Sequence, residues 1–222
     1  YFTNTLTRLI DLGLDKLRSI ILEMATLGEN TVITAIASYK EDNLETTKKI
    51  FESSSKLRFL QDEVSVLTIE LIARFQPVAT DLRYIKSCME ISYGFSRFGR
   101  YAYDIINVLE VLGPLKLCDK SSVICMSEIV LEMMKTSVSA LRLLDNSMSN
   151  KIYEMEDVVD IMYKKSMRES AKIVNQGNLY SDNRCNISSA LILKYLERIS
   201  DHACYIADSV NYIVTGVTSP RR

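Results

Sequence analysis

The feature that most constrains this chain is a self-similarity at a step of about 101 residues, the signature of a duplicated structural unit. Glu156…Asp160 falls 102 residues after Ser54…Arg58, and Glu197…Asp201 falls 101 after Ser96…Arg100. Phe95, Phe98, Ala102 and Ile105 recur at the same step as Leu196, Ile199, Ala203 and Ile206. The chain breaks recur as well. Gln76-Pro77 interrupts the first half and Gln176-Gly177 the second, each followed by a capping candidate, Thr80-Asp81 and Ser181-Asp182. Gly113-Pro114 stops a helical pattern at the midpoint, since a proline just past a helix end cannot continue it.

Between these breaks the apolar residues keep a helical period. Met126, Val130, Met133, Leu141 and Leu144 hold one stripe, with Ser137 filling its gap. Thr31–Ser38 reads locally as a strand, but its flanks are helical. The pattern predicts three helices per copy, at 5–39, 43–75 and 80–112, then 117–147, 150–175 and 183–214. The expected fold is all-α, a tandem repeat of two three-helix bundles divided into 1–114 and 115–222. At 222 residues and 47% hydrophobic content there is core material for both copies.

A net charge of −1 gives no basic excess for nucleic acid. No uncharged apolar run approaches the roughly 18 residues that span a bilayer, so no transmembrane segment is expected. Leu6–Met24 mixes charged and apolar residues, unlike a signal peptide, and a chain beginning at Tyr1 reads as a fragment or a processed form. Five cysteines without a Cys-x-x-Cys suggest reduced thiols in a soluble intracellular protein. His202 is the only histidine, which argues against a cysteine–histidine zinc site; a partly exposed structural role is expected for it. Twelve tyrosines hint at an aromatic contact surface, the ordinary alternative being core.

A spacing of four puts two side chains on one helix face. At 100° per residue, Glu197, Asp201, Cys204 and Asp208 fall within about 60° of one another. Glu156 and Asp160 pair on the helix before. Packed antiparallel, the two helices bring four or five carboxylates together, a donor set for hard cations such as Mg²⁺, Mn²⁺ or Fe and less often Zn²⁺. A plain solvated face, with Lys194, Arg168 and Arg198 as counter-charges, is the other reading. A ferritin-like di-iron site would need Glu-x-x-His pairs, and the sequence has none.

Tyr195-Leu196-Glu197-Arg198-Ile199-Ser200-Asp201-His202-Ala203 followed by Ile206-Ala207-Asp208 resembles the "ERIGDHA…NIAE" signature of the PhoU family of phosphate-transport regulators. Arg74-Phe75-Gln76-Pro77-Val78-Ala79-Thr80-Asp81-Leu82-Arg83 resembles that family's "RQPxAxDLR" segment. The resemblance covers both repeats. It implies a tandem pair of three-helix bundles and a cytoplasmic, often dimeric regulator without catalytic activity. Such a protein restrains phosphate uptake through the phosphate ABC transporter and, in many bacteria, a sensor histidine kinase. It also implies metal bound through Glu/Asp-x-x-x-Asp motifs, here Glu156, Asp160, Glu197, Asp201 and Asp208.

The first repeat departs from that pattern. Its carboxylates are replaced by Ser54, Arg58, Ser96 and Arg100, and Tyr205 stands where the second signature has Asn. Arginine is always charged and repels a cation. At most one metal cluster is therefore expected, in the second half, and a metal-free family member is the alternative. Arg58 and Arg100 are expected to pair with Asp62 and Asp104, four residues on, or to bind an anion such as phosphate. An accessory role at another ion transporter is the alternative function. No P-loop, glycine-rich fingerprint or nucleophile–base set points to an enzyme.

Overall fold

The structure, a computed structural model, describes residues 8–175 and 183–218, without the side chains of 172–175. Six helices carry the chain: α1 (Leu9–Glu41), α2 (Thr47–Phe75), α3 (Ala79–Leu112), α4 (Ser121–Leu143), α5 (Ser149–Asn175) and α6 (Asn183–Thr215). A 3₁₀ turn at Asn146–Met148 precedes α5. The described residues contain no strand, and Thr31–Ser38 lies inside α1. The fold is all-α: α1–α3 form one three-helix bundle and α4–α6 the second.

The helices end where local chemistry stops them. Asp42, Gln76 and Leu144 close α1, α2 and α4 in the left-handed conformation, with backbone N–H groups donated to carbonyls of the last turn. Pro77 then prevents α2 from continuing. Gly113 closes α3 at φ 77°, ψ −167°, a backbone region that essentially only glycine enters, and Pro114 follows. Thr80 and Asp81 fall within the first turn of α3 rather than at its cap, Val78. Asp81 instead accepts a hydrogen bond from the Arg8 guanidinium at 2.7 Å. Gln176-Gly177 and Ser181-Asp182 lie outside the described residues.

The repeated apolar stripes meet at the centre of the molecule. On α3, Ile91, Phe95, Phe98, Ala102 and Ile105 are fully buried. Leu196, Ile199, Ala203 and Ile206 of α6 are buried likewise, and the two helices pack on each other. At a close point of that seam, a Cβ on Gly94 would lie 3.2 Å from Ile206 Cγ1. Burying each such Leu, Ile or Phe contributes about 1.5–3 kcal/mol. By length and composition α1 is apolar enough to cross a membrane, with an 18-residue window of mean hydropathy 1.3. Half of that window is buried in the bundle, where Leu17, Ile21, Met24 and Val32 supply core.

The connection between the bundles is tied down at both sides. Lys120 Nζ donates to the Tyr39 carbonyl at 2.7 Å and pairs with Asp42, and the Leu115 N–H donates to Asp42 Oδ1 at 3.1 Å. Cys118 forms a disulfide with Cys185 at the start of α6. Reduced thiols were the expectation from the sequence, and these two cysteines correct it. They lie 67 residues apart and meet only because α6 begins beside the connection. Cys88 and Cys204 are buried and outside the disulfide, as is the exposed Cys125.

Candidate functional site

The two carboxylate pairs of the second repeat come within electrostatic reach of each other through Glu156 and Asp201. Asp201, on α6, lies within the electrostatic field of Glu197 on its own helix and of Glu156 on α5. Burial, and then those two charges, push its carboxyl up to about 6, against the opposing pull of Arg198 and Lys194. Basic side chains thread this patch. Asp160 accepts from Lys164 at 2.7 Å, and Glu197 accepts from Lys194 at 2.8 Å. Asp201 takes Arg198 Nη1 at 3.4 Å. Lys164 also feels Glu156, and Lys194 Nζ lies 4.9 Å from the Tyr163 ring centroid.

Asp208 does not join the other four. It is buried and accepts the Tyr153 phenol, so its carboxylate closes the α5–α6 seam. The helical wheel places Asp208 on the right face but carries no information about the phenol opposite. The donor set has the hardness that a divalent cation prefers. Yet among the described residues no three Asp, Glu, Cys or His side chains are gathered where they could hold a metal ion. Each of Asp160, Glu197 and Asp201 is turned to a lysine or arginine instead. As arranged, these residues do not fit a metal.

The corresponding surface of the first repeat has the opposite sign. There α2 and α3 approach closely at Gly99, where an added Cβ would lie 3.1 Å from Ser54 Cα and 2.6 Å from Leu57 Cδ1. Beside this crossing opens a cleft of about 570 Å³ lined by Ser54, Arg58, Ser96, Arg97, Arg100 and Asp104, among others. Arg100 pairs with Asp104 at 3.1 Å, as its spacing predicts. The expected Arg58–Asp62 pair does not form; Arg58 has no ion pair with any described residue. The sequence reading missed Arg97, whose repeat counterpart is Arg198. Its Nη2 donates to the Tyr101 hydroxyl at 2.7 Å, and the guanidinium lies 4.8 Å and 5.9 Å from the Tyr101 and Tyr93 ring centroids. Its Nε is buried without an acceptor.

His202 also departs from expectation. It is buried between α3 and α6, its ring 5.6 Å from Tyr93, 6.0 Å from Tyr101 and 5.4 Å from Tyr205. Burial first, then the charges of Arg97 and Arg198, push its imidazole down to about 4. Tyr93, Tyr101, Tyr195 and Tyr205 gather here, Tyr101 buried in the seam and Tyr93 and Tyr205 partly open to solvent.

The PhoU domain profile matches this chain twice, at residues 21–109 and 123–210. The chain belongs to the PhoU family. Its relatives include the phosphate-specific transport system accessory protein PhoU homolog of Synechocystis sp., 29% identical over 92% of this chain and 90% of that protein. PhoU homolog 1 of Thermotoga maritima is 26% identical over 90% and 86%. Two solved PhoU structures share the fold. That from Streptococcus pneumoniae superposes with a TM-score of 0.82 at 20% identity, covering 95% of this chain and 99% of its own. That from Pseudomonas aeruginosa gives 0.76 at 24%, covering 93% and 99%. This PhoU member carries one acidic surface and one basic cleft at corresponding places in its two repeats.

Proposed function

We propose that this chain is a non-catalytic accessory regulator of a phosphate-specific transport system, acting at the cytoplasmic face of the transporter. The observation that carries this reading is the double PhoU match, together with relatives aligned over nine-tenths of the chain that are named for that transport system. The non-catalytic part draws support from His202. The chain's single imidazole is enclosed by tyrosine rings and held far from neutral-pH titration, so it does not serve as an acid or base. Self-association into a homodimer and contact with a sensor kinase are parts of the same proposal. The test is phosphate uptake by the source cell grown in ample phosphate, with and without this gene. Loss of the gene should raise uptake, and re-expression should restore restraint. Uptake that stays the same in all three strains sinks the reading.

A second reading, cation binding after the lysines swing away, rests on the crowding of Asp201 by Glu197 and Glu156. Burial, and then the crowding by those two, holds the Asp201 carboxyl well above the usual carboxylate range, although Lys164, Lys194, Arg198 and Arg168 thread the same patch. A divalent ion would take the place of the lysines. Elemental analysis of purified protein, with Glu197→Ala/Asp201→Ala beside it, decides between a metal-dependent regulator and a charge-balanced, metal-free one. Stoichiometric iron, manganese, magnesium or zinc in the wild type alone supports the first.

A further inference from the structure

We propose that the basic cleft between α2 and α3 binds a phosphoryl anion, and that phosphate carried on a small organic group with a planar ring fits it better than free orthophosphate. The charge comes first. Three guanidinium groups, Arg58, Arg97 and Arg100, line this cleft against a single carboxylate, Asp104. On the second repeat three of the same helix positions, Asp160, Glu197 and Asp201, carry carboxylates that each meet a lysine or arginine; here the cations outnumber their partners. Like charges gathered without counter-charge are costly, so such a cluster points to an anion that neutralises it.

Geometry supplies the second argument. Arg58 has no ion pair with any described residue, and Arg97 Nε is buried without an acceptor while its outer nitrogen is fixed by Tyr101. A guanidinium immobilised by a phenol and two aromatic rings is preorganised, so less entropy is lost when an oxyanion arrives. Ser54 and Ser96 place hydroxyl groups at the positions where carboxylates would ligate a metal, and hydroxyls donate readily to phosphate oxygens.

Size and lining choose between the two sources of phosphate. About 570 Å³ lies in the range of sites for whole organic ligands, far beyond a lone tetrahedral anion. One wall is aromatic: Phe51 and Tyr103 pack edge to face with centroids 5.4 Å apart, and Phe51 is 53% exposed. An exposed phenylalanine beside three arginines is the wall on which a planar base stacks. A nucleotide presents both chemistries at once.

Calorimetric titration of the purified chain with AMP, ATP, inorganic phosphate and adenosine tests this directly. AMP or ATP should bind with a Kd below about 1 mM, orthophosphate about tenfold or more weaker, and adenosine not at all. Arg58→Ser and Arg100→Gln, both on exposed side chains, should each weaken nucleotide binding about tenfold or more. Lys48→Gln, which removes one charge elsewhere on α2, should leave it unchanged. Absence of binding by every phosphate probe overturns the proposal, as does an equal loss in Lys48→Gln. Orthophosphate binding as tightly as AMP retains the phosphoryl site and overturns the organic source. The measurement is made on isolated protein and does not depend on the transport role, so either can fail without the other.

Discussion

Lys120 Nζ lies 3.3 Å from Asp42 Oδ2, with the two side chains only 10% and 3% exposed, and this pair clips the start of the second repeat to the end of α1. Charges so buried are tolerated because they meet each other and because Lys120 also donates to the Tyr39 carbonyl. Removing one partner strands the other. Lys120→Met should therefore lower unfolding free energy by about 3 kcal/mol, and Asp42→Leu by a similar amount. The double variant should lose far less than the two combined. Urea denaturation of the four proteins measures the coupling, and strictly additive losses would show that the clip contributes nothing.

At Gly99, α2 and α3 approach closely beside the basic cleft. Any Cβ there meets Leu57 Cδ1 at 2.6 Å, so that side chain must shift, and lies a tight 3.1 Å from Ser54 Cα; valine adds two methyl groups at the same crossing. Gly99→Val should cost about 1–3 kcal/mol through overpacking. Alanine should cost less, because it relieves glycine's helix penalty of about 0.5–1 kcal/mol. Thermal unfolding of both variants tests the order, and a valine variant as stable as wild type would mean that the helices slide freely at this point.

Gly99 also shows where sequence reading stops. Helix existence was legible because the apolar period and the breaks at Gln76-Pro77 and Gly113-Pro114 are local signals, and the family showed through the Tyr195–Asp208 signature. The seam was not legible. Periodicity says which face of α3 is apolar, yet nothing local says that α6, a hundred residues on, is its partner. Burial of His202 among tyrosines and the Cys118–Cys185 bond follow from that packing. For the site, spacing put Glu197 beside Asp201 and Arg58 in one cleft with Arg100, and Glu156 comes within electrostatic reach of Asp201 across the helix pair, but the four carboxylates do not converge on one point. It gave Asp208 a ligand's place because it could not see the Tyr153 hydroxyl, and it passed over Arg97 because an arginine three residues before another reads as ordinary surface.

The disulfide offers a separate check. Closing a loop of 67 residues between Cys118 and Cys185 restricts the unfolded chain, so Cys118→Ser should reduce stability by about 2–4 kcal/mol. Reductant should lower the urea midpoint of wild type toward that of the variant and leave the variant where it is. A wild-type midpoint indifferent to reductant would mean that the bond does not form in the purified protein.

Asp201 and His202 are neighbours in sequence whose titrations pull stability in opposite directions. Asp201 is raised from 3.8 to about 6, chiefly by burial and then by Glu197 and Glu156. Below pH 3.8 its contribution favours the folded state in full, and it is lost as pH rises through 6. His202 is lowered from 6.5 to about 4 by burial, with Arg97 and Arg198 adding to it. Its contribution is complete above 6.5 and is lost as pH falls toward 4, because the unfolded chain takes up a proton that the folded one refuses. Between pH 4 and 6 the two largely offset each other in the wild type. Asp201→Asn leaves the histidine unopposed, so stability relative to wild type should rise by about 2 kcal/mol from pH 4 to 6. His202→Gln should produce a fall of similar size over the same interval. Urea midpoints at pH 4, 5, 6 and 7 give both difference profiles, which must slope in opposite senses; parallel profiles would mean that neither side chain titrates as its surroundings require.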